Sequence, residues 1–185
     1  MNWNTHGYKG SAAVGLIFAL RKISSVTNMT NAISRFAEAQ MLIRKPPSQV
    51  FEAFIDPSIT KNFWFTKGSD RLTLNKKITW TWEMYNLSTT VTAKEIIENE
   101  KILFEWDTPP RMVEFKFKAL GDDATFVTVK EWGYDKSGDE LLEAIKNSTA
   151  GFTTVLDGLK AFLEHNINLN LIADKYPPEV SQHGQ

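Results

Sequence analysis

The sequence predicts an α+β protein built on one antiparallel sheet. Two changes of period carry that reading. From about residue 69 to about residue 134 apolar residues recur every second position, in short runs separated by turn residues. From about residue 139 onward they recur with the 3.6-residue period of one long helix. Ahead of both lies a strand followed by two short helical segments. The expected order is therefore strand, two short helices, a run of strands and one long helix.

Each element has its own signals. "RFAEAQMLIRK" (35–45) alternates as a strand, and Pro46 and Pro47 end it. Ser48 is a candidate N-cap for a helix whose apolar face is Val50, Phe51 and Phe54. Asp56-Pro57 starts a second short helix, with Pro in the first turn, running to Phe63-Trp64-Phe65. Gly68 marks the turn out. "RLTLNKKITWTWEMY" then sets Ile78, Trp80, Trp82 and Met84 on one face. "TTVTAKEIIEN" follows as a less regular strand. "KILFEW" alternates Ile102, Phe104 and Trp106 against Leu103 and Glu105, "MVEFKFKAL" sets Val113, Phe115 and Phe117 inward, and "TFVTVKEWGY" sets Val127, Val129 and Glu131 inward. Connections this short give antiparallel neighbours. Leu141, Ile145, Thr149, Phe152, Leu156, Leu159 and Leu163 then share one helical stripe. That helix should end near Asn166, with Ile167, Leu169 and Leu171 folding back on the domain.

Composition bounds the function. The chain has 185 residues, enough for one domain with a sizeable core. Its formal net charge of −1 provides no electrostatic footprint for nucleic acid or an acidic membrane. There is no Cys, which excludes thiol nucleophiles, disulfides and Cys-ligated metal, and fits a cytoplasmic location. The apolar run Ala12–Leu20 is shorter than the roughly 20 residues a bilayer needs. With Arg21 and Lys22 behind it, it also lacks the layout of a secretion signal. Residues 1–33 are expected to be an extension without stable structure, or a misassigned start with Met29 as the initiator. The folded domain is expected over 34–177, and 178–185 as a tail. The sequons at Asn28, Asn86 and Asn147 read as chance matches.

Motifs of chemistry are sparse. His6, His165 and His183 fall on no strand, and no His or carboxylate cluster has metal-ligand spacing, so neither metal nor cofactor is expected. His165 suits the last turn of the long helix, where a cation complements the macrodipole. No nucleophile elbow, Walker or dinucleotide fingerprint is present. Glu83, Glu105, Asp107 and Glu114 oppose the aromatic face and read as a solvated face, with Lys116 and Lys118 available for cross-strand pairs. Glu131 differs, because it is in register with the inner face. Buried there, it could act as a general acid or base or as a polar anchor; if the strand bulges or ends, it faces water.

The ordered pieces "IRKPPSQVFEAFIDPSITKNFWF", "KEIIENEKILFEW", "ATFVTVKEWGY" and "GFTTVLDGLKAFLEHNINLNLIADKYP" resemble the helix-grip (START/Bet v 1-like, SRPBCC) superfamily. Within it they are similar to the branch of the C-terminal domain of the Hsp90 ATPase activator Aha1. The resemblance spans about residues 36–177. The chain departs from the branch in lacking a glycine-rich start to its second strand and in having Phe152 where Trp is common. The resemblance implies one curved sheet wrapped around the C-terminal helix, with a cavity between them for a small apolar or aromatic molecule. Some relatives are binders, some cyclases or hydrolases, and the namesake is a co-chaperone. A chaperone partner is disfavoured, because residues 1–33 leave no room for the namesake's separate N-terminal domain; a homodimer is compatible.

The site expected on these grounds is lined by Trp64, Trp80, Trp82, Phe104, Trp106, Phe115, Phe117 and Phe152, with Glu131 as its polar contact and only weak catalytic candidate. Aromatics serve a filled core equally well. The stretch Ser148-Thr149-Ala150-Gly151 on the long helix favours a cavity, since small residues there leave volume opposite the aromatic strands. Ala150 and Gly151 are therefore placed at its border.

Overall fold

Alternation in a strand buries every second side chain, and this rule assembles the sheet in the computed structural model, which describes residues 35–177. The expected extension over 1–33 and the tail over 178–185 lie outside the described residues. The chain begins with β1 (Phe36–Ile43), then α1 (Pro47–Ile55) and α2 (Pro57–Thr60). β2 (Lys67–Gly68), β3 (Lys77–Trp82), a 3₁₀ turn (Glu83–Tyr85), β4 (Leu87–Ile97), β5 (Lys101–Trp106), β6 (Arg111–Ala119) and β7 (Thr125–Trp132) follow. The long helix α3 (Gly138–His165) and a short α4 (Leu171–Lys175) complete it.

The seven strands form one antiparallel sheet in the order β1-β7-β6-β5-β4-β3-β2. β3 to β7 form a meander, and β1 closes one side by pairing with β7 from Phe36↔Trp132 to Ile43↔Thr125. α3 packs against β1. This is the helix-grip fold: a curved antiparallel sheet, a long C-terminal helix, and two short helices after the first strand.

The core is the inner face of the sheet with α1 and the C-terminal half of α3. Val91, Phe104, Val113, Phe115, Val127 and Val129 come from the strands, Val50, Phe51 and Phe54 from α1, and Phe152, Val155, Leu156 and Leu159 from α3. The period-two faces read from the sequence are thus the buried ones in β3, β5, β6 and β7.

Several boundaries differ from expectation. Ser48 is not the N-cap of α1; Pro46 is, and no side chain caps that end. Asp56 does cap α2, accepting a hydrogen bond from the Ser58 amide at 2.8 Å. Gly68 belongs to β2, opposite Trp80, rather than to a turn. β3 begins only at Lys77, because Asn75 takes a left-handed conformation (φ 60°) and Leu74 makes one isolated bridge to Ala93. Met84 falls in the 3₁₀ turn. α3 ends at His165 with Asn166 as a left-handed cap. Beyond it Ile167 and Leu169 are exposed, and the residue that packs on the core is Ile172 of α4.

Candidate functional site between the sheet and the long helix

The two halves of α3 do different work. Its C-terminal half is buried through Phe152, Val155, Leu156, Gly158 and Leu159. Its N-terminal half carries no fully buried residue, and Leu142 is 64% exposed. Ala144, Asn147, Ser148 and Gly151 on that half face a cavity of about 1030 Å³. The volume is open because the helix offers small side chains where the sheet offers large ones. A Cβ built on Gly151 meets nothing within 4 Å.

The cavity floor is aromatic. Trp64, in the bend that follows α2, has its ring centroid 5.0 Å from Trp80, 6.1 Å from Trp106 and 6.2 Å from Phe152. Trp106 and Phe152 stack at 6.0 Å with an interplanar angle of 29°. These contacts lock the rings edge to face or offset, as their quadrupoles prefer. Trp82, Tyr85, Ser88, Thr89 and Thr90 form one flank, and Ile172, Lys175 and Tyr176 of the C-terminal segment form another. Tyr85 ties the two flanks together: its hydroxyl donates to the carbonyl of Ile172, and its ring lies 6.3 Å from that of Tyr176 in a T-shaped pair. Burial pushes the Tyr85 hydroxyl pKa up, so it stays a neutral donor.

A polar cluster stands behind the floor, centred on Glu131. The carboxylate has no solvent exposure, and β7 is in unbroken register on both sides of it. It fits because its pairing partners are small or modest in size, Ala37 on β1 and Val113 on β6. Both carboxylate oxygens are satisfied. Oε1 accepts from Trp106 Nε1 at 2.8 Å and pairs with the Arg111 guanidinium, 3.1 Å from Nη1, and Oε2 accepts from the Tyr134 hydroxyl at 2.7 Å. Arg111 reaches on to Asp107, lies 5.7 Å from the Trp106 ring and 5.5 Å from the Tyr134 ring, and is 3.5 Å from Ser148 Oγ on α3. Asp107 in turn accepts from Thr89 Oγ1 at 2.8 Å. Burial opposes the Arg111 charge, but Asp107 and Glu131 outweigh it and raise the guanidinium pKa. Burial drives the Tyr134 hydroxyl well above its ordinary pKa; a hydrogen bond from Ser148 opposes the rise and Glu131 adds to it. The cluster therefore presents a neutral phenol, a fixed guanidinium and one indole N–H, that of Trp106, already spent on Glu131. Among the described residues no group of His, Cys, Asp or Glu could hold a metal ion.

Of the residues expected from the sequence, Trp64, Trp82, Trp106, Gly151 and Phe152 stand on the cavity wall. Trp80, Phe104, Phe115 and Phe117 stand in the filled core beneath it, each at most 5% exposed and packed by other rings. Ala150 is exposed and is not among the lining residues, although its carbonyl accepts from Lys175, which is. Glu131 is reached from the cavity only through Trp106, Arg111 and Tyr134. Asp107, expected on the solvated face, lines the cavity instead; its left-handed conformation (φ 69°) breaks the alternation at the end of β5. Sequence reasoning passed over Tyr85, Arg111, Tyr134, Lys175 and Tyr176. Only Arg111 and Tyr134 carried a usable signal, being the first residue of β6 and the second after β7, flanking the strand ends at which Trp106 and Glu131 lie.

This geometry defines a class: a helix-grip domain with a cavity between sheet and helix. The family model for "Activator of Hsp90 ATPase homolog 1-like protein" matches residues 44–164, and the chain belongs to that family. No curated protein matches the chain. Among solved structures it is similar to the protein SSP2350 from Staphylococcus saprophyticus, with 27% identity and a TM-score of 0.64 over 72% of this chain and 95% of that one. It shares the fold of DynU16, from the dynemicin biosynthetic locus, at 18% identity and a TM-score of 0.64, covering 73% of this chain and 49% of that one. It shares it also with the Aha1 dimer from Colwellia psychrerythraea, at 14% identity and a TM-score of 0.60, covering 70% of this chain and 96% of that one. Among the described residues no helix is long and apolar enough to cross a membrane.

Proposed function

We propose that the protein binds a small apolar or aromatic molecule in the cavity between the sheet and α3. The observation that carries this reading is the 1030 Å³ space between an aromatic floor and the small residues of α3. Ligand sites are typically apolar clefts of about 300–1,000 Å³ with a few placed polar groups, and this one is at the upper end of that range. Indole and phenyl faces would bury the ligand body. Arg111, Tyr134 and the β4 hydroxyls would orient it.

In this reading Glu131 is a positioning residue. It holds the Trp106 ring against Phe152 and keeps Arg111 and Tyr134 at the wall. An enzyme of the cyclase or hydrolase kind is the second reading, favoured by one observation: the Tyr134 hydroxyl joins the cavity to a buried carboxylate. On that reading Glu131→Gln would lose turnover while keeping ligand affinity. A co-chaperone-like interaction module is the third and is supported by the family description alone. A cytoplasmic location and a homodimer belong to the same proposal, the latter because one structural neighbour is a dimer.

The deciding experiment is native mass spectrometry of freshly purified protein, followed by thermal-shift screening against lipid and aromatic libraries. A retained or added ligand with a raised Tm is expected. No ligand and no shift would sink the binding role, and a stoichiometric chaperone in a pull-down would put the interaction reading first.

A further inference from the structure

Among the described residues that line the cavity, Lys175 is a half-buried cation with no carboxylate at ion-pair distance. Arg111 stands between Asp107 and Glu131, so its charge is spent. Lys136 also lacks an ion pair among the described residues, but it is exposed to water, which screens its charge. Lys175, on α4, is different. Its Nζ donates to the Ala150 carbonyl and to Thr154 Oγ1, both at 2.7 Å and both uncharged. Among the described residues no carboxylate lies within ion-pair distance of it. An ammonium has three donors, and two are used. Burial lowers the Lys175 pKa, with Asp157 opposing the shift, as expected of a charge held against an apolar wall.

From this geometry we infer that the ligand is an amphiphilic anion, an apolar or aromatic body carrying one acidic group, and that Lys175 receives that group. The inference rests on the binding reading above. The body would lie on Trp64, Trp106 and Phe152, and the acid would take the remaining Lys175 N–H at the α4 side. A charge-assisted hydrogen bond of this kind is stronger than a neutral one and is strengthened further by partial exclusion of water. Lys175 also lies beyond residues 44–164, the part of the chain that the family model matches. The segment that reads ligand charge is thus separate from the elements that define the fold. Its position is set by Tyr85, which holds the Ile172 carbonyl, and by the edge contact of Tyr85 with Tyr176.

Two fluorescent probes of similar size test this on the full chain: anilinonaphthalene sulfonate, an aromatic anion, and N-phenylnaphthylamine, its uncharged counterpart. In the wild type the anion is expected to bind more tightly than the neutral probe. Lys175→Met should weaken the anion by about tenfold, the scale of one hydrogen bond to a charged group. It should leave the neutral probe within about twofold. Lys175→Arg should restore most of the anion affinity. Equal loss of both probes, or no loss of the anion, would overturn the assignment. If the wild type binds the neutral probe but not the anion, the inference fails and the binding reading stands. If it binds neither, the two fail together.

Discussion

Glu131 shows what a single residue can and cannot reveal. Its register in β7 placed it on the inner face from sequence, and it is fully buried. Its three partners come from residues 106, 111 and 134, on two strand ends and a loop, and no local pattern joins them. Removing one partner of a buried pair leaves the other charge uncompensated, so Glu131→Ala should destabilise the fold by roughly 3 kcal/mol in urea denaturation. A loss under about 0.5 kcal/mol would mean that Arg111 is satisfied by Asp107 alone. Gly151 makes the opposite case. A Cβ there meets nothing, so Gly151→Ala should gain roughly 1 kcal/mol of helix propensity. Gly151→Leu should project into the cavity and displace the neutral probe while leaving Tm unharmed. Unchanged probe affinity in that variant would remove Gly151 from the site.

At the level of elements, α3 carries two glycines with opposite meanings. Gly158 lies against Phe63, where a Cβ would sit 3.2 Å from both the Cβ and the carbonyl oxygen of that residue. Gly158→Ala should therefore destabilise by roughly 1 kcal/mol, overpacking outweighing the propensity gain. A Tm equal to or above wild type would show that Phe63 can yield. The cap of α2 is testable by pH. The Asp56 pKa is lowered chiefly by its hydrogen bond to Ser58, with Arg71 adding a smaller contribution. A lowered carboxylate pKa contributes stability that is complete above the unfolded value of 3.8 and is lost as pH falls through the folded value. Asp56→Ala should cost about 1 kcal/mol near neutrality. The gap from wild type should narrow as pH falls below 3.8 and through the folded value; a gap constant with pH would assign the cost to geometry alone. The elements themselves were legible where burial is one-sided. β3, β5, β6 and β7 alternate because one face is core and the other is not. The start of β3 was not legible, because Asn75 adopts a left-handed turn inside an apparently continuous strand pattern.

For the whole molecule, the binding reading makes a linkage prediction. A ligand that binds only the folded chain should add about 2.7 kcal/mol of stability at a concentration one hundred times its Kd. The anionic probe should do so in wild type and clearly less in Lys175→Met, read as Tm against probe concentration. A probe that fluoresces without raising Tm would be binding elsewhere or to a partly unfolded form. The polar half of the site was the least visible part from sequence. Arg111, Tyr134, Lys175 and Tyr85 lie in four separate stretches of chain, and each is ordinary in its own context. Sheet curvature and the docking of α4 bring them together.

By itself, the sequence determined the fold class, the strand faces, the long helix and the family, because period and turn chemistry are local and repeat along the chain. It also pointed to Gly151, which lines the cavity, but with it to Ala150, which does not. Only the tertiary structure decided which aromatics line the cavity and which fill the core. Trp80 and Phe104 have the same alternation as Trp82 and Trp106, and what separates them is what covers each ring: Trp64 and Phe65 pack on Trp80, and Trp64 and Phe115 on Phe104, whereas Trp82 and Trp106 stand at the cavity. That depends on where the Trp64-Phe65 segment folds over the strands, which no strand pattern records.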